Sequence, residues 1–238
     1  MFRRLLIVLG AVVGIAVTTS LGFWQWGRGQ QRTALHEARE AQEHGVPVGA
    51  RELLAGHAAD VHLLHRPVVL RGQWLPERTV FLDNRQMNAV QGFYVVTPLR
   101  VEGRQDVVLV QRGWVQRDFE QRDRLPPVET PAGPVEVRGR VAPPPAKLFA
   151  MGQEERGTIR QNLDLAAFRA ETGLPLAELS VQQVGAPSEG LLRQWPQAGS
   201  GAEKNYGYAF QWWAMAALIA ILYVWFQLVV PRRQARRA

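Results

Sequence analysis

Two long apolar stretches lie near the ends of this chain, and most of its charged residues lie between them. Residues 5–26 and residues 206–230 contain no Asp, Glu, Lys or Arg. About 20 apolar residues in a helix cross the ~30 Å hydrocarbon core of a bilayer. The pattern therefore predicts two transmembrane helices, at 5–26 and 206–230, with one domain at residues 29–204 between them.

The region between the apolar stretches has the pattern of a β domain. Short apolar runs, most of them bounded by Gly, Pro, Asn or Asp, predict strands of an antiparallel sheet. These runs are residues 68–74, 79–82, 93–96, 107–110, 135–141 and 179–184. Residues 29–43 predict an outward continuation of the first helix. The fold class is therefore α+β, with two membrane helices flanking one exported, mainly antiparallel β domain.

A short helix is predicted late in the domain. Asp164 suits the N-cap and Gly173 the C-terminal end, since these residue types satisfy the free backbone groups of helix termini. Helical spacing predicts that Leu165 and Phe168 are buried and that Arg169 faces solvent.

Basic residues predict the orientation in the membrane. Arg232, Arg233, Arg236 and Arg237 follow the second stretch, whereas Lys204 alone lies just before it. Positively charged flanks stay in the cytoplasm, so both termini are expected there and the domain in the periplasm of a bacterial inner membrane. The first stretch alone does not settle the orientation, because Arg3 and Arg4 before it are matched by a slight excess after it, at Arg28, Arg32 and Arg39.

A cleaved signal peptide is the alternative for residues 5–26. The stretch is longer than a typical signal core, no clear small-x-small cleavage site follows it, and it ends in aromatic residues that suit a membrane interface. An uncleaved anchor is expected. It begins too near Met1 to leave room for an organelle transit peptide.

Composition removes several function classes. With no cysteine, thiol catalysis, disulfides and thiolate metal sites are excluded. The net charge of +7 comes from dispersed arginines, so nucleic-acid binding is not expected. No catalytic residue and no enzyme activity are predicted. His57, His62 and His65 lie near Asp60, but their spacing matches no familiar ligand pattern, and no metal site is predicted.

The membrane segments carry two further patterns. Small residues recur every fourth position on the first helix, at Gly10, Gly14, Thr18 and Gly22. This spacing either lets another helix approach closely or arises by chance, since Gly is common in membrane helices. On the second helix one face carries Asn205, Tyr208, Ala209, Trp212 and Ala216. That face is either an interfacial aromatic belt or a flat wall for a planar ligand, with Arg28 and Arg32 placed to pair with its carboxylates.

Five motifs between and within these spans resemble, in order and approximate spacing, those of the Surfeit locus protein one family, also called the Shy family. They are LGFWQWGR at 21–28, LDNR at 82–85, Gly92 with TPL at 97–99, QRGW at 111–114 and YAFQW at 208–212. The resemblance covers nearly the whole chain. It implies an assembly factor for haem-copper cytochrome c oxidase that acts, without catalytic turnover, when haem A enters the catalytic subunit.

The resemblance also implies partners and site residues. The expected partners are the catalytic subunit of the oxidase, haem A synthase and membrane lipid, and the expected cofactor is transiently bound haem A. Residues expected to bind the cofactor are Arg28, Asn205, Tyr208 and Trp212. Residues expected to bind partners are Gly10, Gly14, Trp24, Gln25, Arg85, Arg112 and Trp114. Some motif residues also have a purely structural explanation, because tight turns between strands require residues of these types. They are Asn84, Gly92, Pro98 and Gly113.

One position departs from the family pattern. Many relatives carry a histidine, a proposed haem ligand, where this chain has Asn205. Haem proteins use His, Cys, Met or Tyr as iron ligands, so ligation by this chain is in doubt. A scaffold that stabilises oxidase subunits without binding haem is the alternative function. An enzyme acting on lipid or peptidoglycan is a distant third.

Overall fold

The chain divides into two compact units in a computed structural model that describes residues 2–57, 60–121, 124–145, 157–196 and 199–235. One unit combines Met1–Ala38 with Ala198–Ala238, and the other is Arg39–Gln197. The first unit is helical and the second contains the sheet.

Two long helices dominate the first unit. Helix α1 spans Phe2–Glu43, and helix α4 spans Ala202–Val224 and continues through a π-helical turn at Trp225–Val229 into α5 at Val230–Ala235. Both are long and apolar enough to cross a membrane. With 42 residues, α1 is about 63 Å long, roughly twice the hydrocarbon thickness. The prediction that the first helix continues through residue 43 is confirmed.

Small residues form the contact between α1 and α4. Thr18, Gly22, Ala209 and Ala216 are all buried, and a Cβ added at Gly14 would lie 3.4 Å from Cδ1 of Ile219. The glycine pattern on α1 therefore serves, at least at Gly14 and Gly22, to pack the second helix of the same chain.

In the described part of the second unit, seven strands form one sheet, together with two short α-helices and a 3-10 turn at Pro76–Arg78. The strands are β1 (Pro67–Trp74), β2 (Val80–Met87), β3 (Val90–Val101), β4 (Val107–Gln116), β5 (Pro134–Ala142), β6 (Ile159–Arg160) and β7 (Leu176–Gln183), and the helices are α2 (Ala50–Ala55) and α3 (Leu165–Thr172). Every predicted strand is present. The two-residue strand β6 was not predicted, since it is too short to show a pattern.

Strand pairing closes most of this sheet into a barrel. The order is β1-β5-β7-β4-β3-β2-β6, and β1 also pairs with β3. The long strand β3 makes this possible, because its first half pairs with β2 and its end pairs with β1. Pairing is antiparallel except for β4 with β7 and β2 with β6, so the predicted mainly antiparallel α+β class is confirmed.

The barrel interior is apolar. Alternate residues of the five ring strands form one buried cluster, which includes Val68, Leu70, Val110 and Val181. A second cluster, with Leu109 and Phe168, lies between the outside of the sheet and α3.

Helix α3 has the predicted ends but one unpredicted contact. Oδ1 of Asp164 accepts a hydrogen bond from the Ala167 amide at 3.0 Å, and Gly173 is left-handed with φ 69°. The prediction that Arg169 faces solvent is wrong. Its guanidinium is half-buried and donates to the Leu176 carbonyl at 2.7 and 3.1 Å, because the chain turns back directly after the helix.

Candidate functional site

Polar side chains join α1 and α4 where the apolar stretch of α1 ends and that of α4 begins. Nδ2 of Asn205 donates to Oε1 of Gln25 at 2.7 Å, and Oδ1 of Asn205 accepts from Nη1 of Arg32 at 2.9 Å. The same Arg32 nitrogen also donates to the Gly201 carbonyl at 3.3 Å. We call Gln25, Arg32 and Asn205 the interhelix clasp.

Two glycines on α1, one before Gln25 and one between Gln25 and Arg32, accommodate aromatic rings of α4. A Cβ at Gly22 would overlap the Trp213 indole, and one at Gly29 would lie 2.6 Å from the Tyr206 ring. The Tyr206 hydroxyl lies 3.3 Å from that of Thr33. Only glycine permits these approaches, so Gly22 and Gly29 set the spacing of the two helices near the clasp.

Trp26 completes an aromatic cluster on this side of the helix pair. Its ring centroid is 4.8 Å from that of Tyr206 and 5.8 Å from that of Trp213, and Phe23 contacts Trp213 edge-on at 5.4 Å. Tyr206 and Trp213 are therefore aromatics of α4 that contact α1.

The residues predicted to bind the cofactor are only partly brought together. Asn205 is in the clasp, whereas Tyr208 is 54% exposed and Trp212 is half-buried. Arg28 is exposed and lies over the Trp24 ring, 5.7 Å from its centroid. A planar ligand against Tyr208 and Trp212 stays a prediction.

The clasp bears directly on whether Asn205 could hold haem. An amide is a poor ligand for haem iron, and both ends of this amide already have protein partners. The Tyr206 hydroxyl next to it is engaged with Thr33. The donor groups at this position therefore do not fit axial ligation of haem.

In the sheet unit, Arg112 lies in a buried charged cluster at the end of the barrel. It is 0% exposed, 3.0 Å from Oε2 of Glu189, and stacked over the Trp74 ring at 4.8 Å. Glu189 also pairs with Arg193 at 3.2 Å. Burial lowers the pKa of Arg193, Arg112 lowers it further, and Glu189 opposes both. We call Arg112, Glu189 and Arg193 the charged triad.

Arg85 and Trp114 meet on neighbouring parts of the same sheet. The Trp114 indole donates to the Arg85 carbonyl at 2.8 Å, and the Arg85 guanidinium lies over the Tyr94 ring. Burial lowers the pKa of Arg85 and raises that of Tyr94, and the Arg85 charge partly offsets the latter. A Cβ at Gly92 would lie 2.6 Å from the Trp114 indole.

These contacts change the interpretation of the sheet motifs. Arg85, Arg112 and Trp114 were expected to form a partner surface, but the structure buries all three. A buried side chain cannot contact a partner without rearrangement, so in this structure these residues stabilise the strand packing. Gln25 is likewise engaged within the chain. Gly10 and Trp24 are exposed, and a Cβ at Gly10 would meet no atom within 4 Å.

Sequence reasoning missed several residues of these clusters. Glu189, Arg193 and Trp74 lie far from Arg112 along the chain, and Thr33 and Tyr206 lie 173 positions apart. No local pattern marks such pairs. The one available signal was the excess of arginines after the first apolar stretch, of which Arg32 proves to be a member of the clasp.

Comparison with known proteins gives consistent matches. The model of the SURF1 family matches residues 12–217. A SURF1-like protein of Drosophila melanogaster is 25% identical over 91% of this chain and 75% of its own length. A SURF1-like protein of Rickettsia prowazekii is 32% identical over 41% of this chain.

A third similar protein has a more informative name. The cytochrome oxidase assembly protein SHY1 of Saccharomyces cerevisiae is 26% identical over 47% of this chain. The matches span only 38% of the Rickettsia prowazekii protein and 29% of the yeast protein.

Proposed function

This chain belongs to the SURF1 family, and from that membership we propose that it is an assembly factor for haem-copper cytochrome c oxidase. The observation that carries the proposal is the family match over residues 12–217, together with the similarity to a yeast protein named for oxidase assembly. Two apolar helices suit a protein that works beside a membrane-embedded oxidase.

We further propose that the chain assists the delivery of haem A to the catalytic subunit, with haem A synthase as a second partner. In this proposal the chain sits in a bacterial inner membrane with its sheet unit in the periplasm. Arg28, Tyr208 and Trp212 would hold the tetrapyrrole by pairing with carboxylates and stacking. The protein's own contribution is to bind and orient, without making or breaking bonds.

The scaffold hypothesis has one observation in its favour. Asn205 is bonded to both Gln25 and Arg32, so this position joins two helices instead of offering an iron ligand. A chain that clamps oxidase subunits needs no haem site, and the exposed face at Gly10 would remain available to a partner helix.

The test of the assembly role is removal of the gene from the native host. We expect the amount of assembled oxidase, measured by its optical spectrum and by blue-native electrophoresis, to fall several-fold and to recover with the wild-type gene. Normal oxidase in the deletion strain would overturn the proposal.

The test that separates haem delivery from scaffolding uses the tagged chain purified in mild detergent from cells that make haem A. Haem delivery predicts a copurifying Soret band that weakens in Tyr208→Ala and Trp212→Ala. Phe210→Ala is the matched control, since Phe210 is an exposed aromatic of the same helix. If oxidase subunits copurify without pigment, the scaffold hypothesis replaces haem delivery.

A further inference from the structure

Arginines cluster at both termini of the helical unit without any acidic residue beside them. The cluster consists of Arg3, Arg4, Arg232, Arg233, Arg236 and Arg237, and we call it the arginine end. Neither residues 1–36 nor residues 205–238 contain an Asp or a Glu. Near the clasp the charges are mixed, because Glu37 and Glu203 lie a few residues from Arg32 and Lys204.

Helix packing places the two groups of arginines at the same end of the helix pair. Gly14 of α1 packs against Ile219 of α4, and Gly29 packs against Tyr206. Residue numbers therefore rise along α1 as they fall along α4, so the two helices are antiparallel. The first turn of α1 and the last turns of the second helix consequently lie on one side.

The distance from the clasp puts the arginine end at a membrane surface. At 1.5 Å per residue, Arg4 lies about 32 Å along α1 from Gln25, and Arg232 about 40 Å along the second helix from Asn205. The hydrocarbon core of a bilayer is about 30 Å thick, and the headgroup layers bring it to about 40–45 Å. Arginines at these positions reach the headgroup layer.

Arg233 is held on an aromatic ring by a local change in the helix. Its guanidinium carbon lies 5.1 Å from the centroid of the Trp225 ring. In an uninterrupted α-helix, residues eight positions apart point about 80° apart around the axis. The π-helical turn at Trp225–Val229 accommodates one extra residue. The two side chains are therefore placed like residues seven apart, which share a helix face.

Pro231 explains why the helix changes its bonding here. Proline has no amide proton, and in an α-helix its ring clashes with the carbonyl four residues earlier. Membrane helices relieve such clashes by local π-helical adjustment. Accordingly, the Val230 amide donates to the Trp225 carbonyl, five residues back. The sequence thus builds the turn that brings Arg233 onto Trp225.

A stacked guanidinium is well suited to bind a phosphate. Stacking uses the face of the guanidinium plane, whereas its N–H groups project from the edge and can donate two parallel bonds to phosphate oxygens. Indoles favour the membrane interface, and Trp225 is 44% exposed. Arg4 and Arg232 are exposed as well, so they add positive charge and further donors at the same surface.

We propose that the arginine end binds the headgroup phosphate of an anionic phospholipid, with Arg233 on Trp225 as the central donor. Clusters of about four to eight basic residues beside a membrane helix typically recognise anionic lipids. A lipid is the expected occupant because Phe226 and Leu228, next to Trp225, are exposed apolar side chains that can contact acyl chains. The inference goes beyond the assembly role and holds for either orientation in the membrane.

The experiment is native mass spectrometry of the full chain, purified in neutral detergent and titrated with dioleoyl phosphatidylglycerol. We expect saturable binding, about tenfold tighter than that of dioleoyl phosphatidylcholine, whose phosphate is neutralised by its own ammonium group. Arg233→Gln should weaken the binding of phosphatidylglycerol about fivefold. Arg51→Gln, the same change at an exposed arginine of α2, is the matched control and should bind like the wild type.

A second pair of variants tests the stack without changing the charge. Trp225→Leu removes the ring and should weaken the binding of phosphatidylglycerol about threefold, whereas Trp225→Phe keeps an aromatic face and should retain most of it. An unchanged affinity in Trp225→Leu would show that the stack does not form the site.

Three other results would overturn the inference. They are equal affinity for the two lipids, equal effects of Arg233→Gln and Arg51→Gln, and displacement of phosphatidylglycerol by millimolar inorganic phosphate, which would indicate a site for soluble anions. None of these results touches the assembly role, which is decided separately by the oxidase content of the deletion strain.

Discussion

The side-chain amide of Asn205 donates to Oε1 of Gln25 at 2.7 Å although the two residues are 180 positions apart. This bond, with the one from Arg32, ties the first turn of α4 to the middle of α1. Asparagine is thus accommodated by a specific pair of partners.

Removal of the clasp should weaken the helix pair. Asn205→Leu deletes the bonds to Gln25 and Arg32, and polar contacts between membrane helices contribute about 0.6–2 kcal/mol. We expect the free energy of unfolding of the full chain, measured by SDS titration in mixed micelles, to fall by about 1–2 kcal/mol. Gln211→Leu, on an exposed part of the same helix, is the control and should change it little.

A histidine at position 205 should preserve much of the clasp. Neutral imidazole has one donor and one acceptor nitrogen, so it can bond both Gln25 and Arg32. Asn205→His should therefore lose less stability than Asn205→Leu in the same titration. An equal loss in both variants would show that imidazole cannot replace the amide geometry.

Substitution of the α1 glycines should have effects that differ with position. Leu at Gly22 would collide with Trp213, whereas Leu at Gly10 would meet no atom within 4 Å of its Cβ. Overpacking typically costs about 1–3 kcal/mol, so Gly22→Leu should destabilise the helix pair by that amount and Gly10→Leu should not. If Gly10→Leu lowers oxidase content without lowering stability, the Gly10 face binds a partner.

Loss of Arg112 should destabilise the sheet unit. Arg112→Met leaves Glu189 with one of its two guanidinium partners, and breaking a buried ion pair costs about 3–5 kcal/mol. We expect a loss near the lower end, about 3 kcal/mol, in urea unfolding of the full chain, because Glu189 is partly exposed. Arg104→Met removes a solvent-exposed pair with Asp106 and should cost less than about 1 kcal/mol.

The lowered pKa of His65 makes stability depend on pH. In the unfolded chain the pKa of His65 is near its ordinary value of 6.5, and in the folded chain it is lower. Below 6.5 the unfolded state therefore binds more protons, and stability falls as the pH falls. His65→Gln should flatten the decline between pH 7 and pH 5 in thermal unfolding.

The orientation predicted from the basic residues can be checked with fusions. Alkaline phosphatase, active only after export, should be active when fused after Gly139 and silent when fused after Ala238. The reverse result would contradict the prediction that Arg232 and its neighbours keep the C-terminus in the cytoplasm.

The periodicity of apolar residues in the sequence was enough to predict most helices and strands of this protein. Apolar runs of membrane length and β-branched runs between turn residues are local properties, so α1, α4 and six of the seven strands follow from the residues themselves. The ends of α3 follow equally well, because Asp164 and Gly173 satisfy backbone groups only a few residues away.

Tertiary structure alone decided which residues meet. Closure of the barrel depends on β3 pairing with two different strands, and the charged triad joins Arg112 to Glu189 and Arg193 across long stretches of chain. Burial also changed the role inferred for Arg112, because this arginine was predicted to lie on a partner surface and is fully buried. Asn205 shows the same limit: its residue type excludes a good iron ligand, but its partners depend on how α1 and α4 pack, which no local pattern encodes.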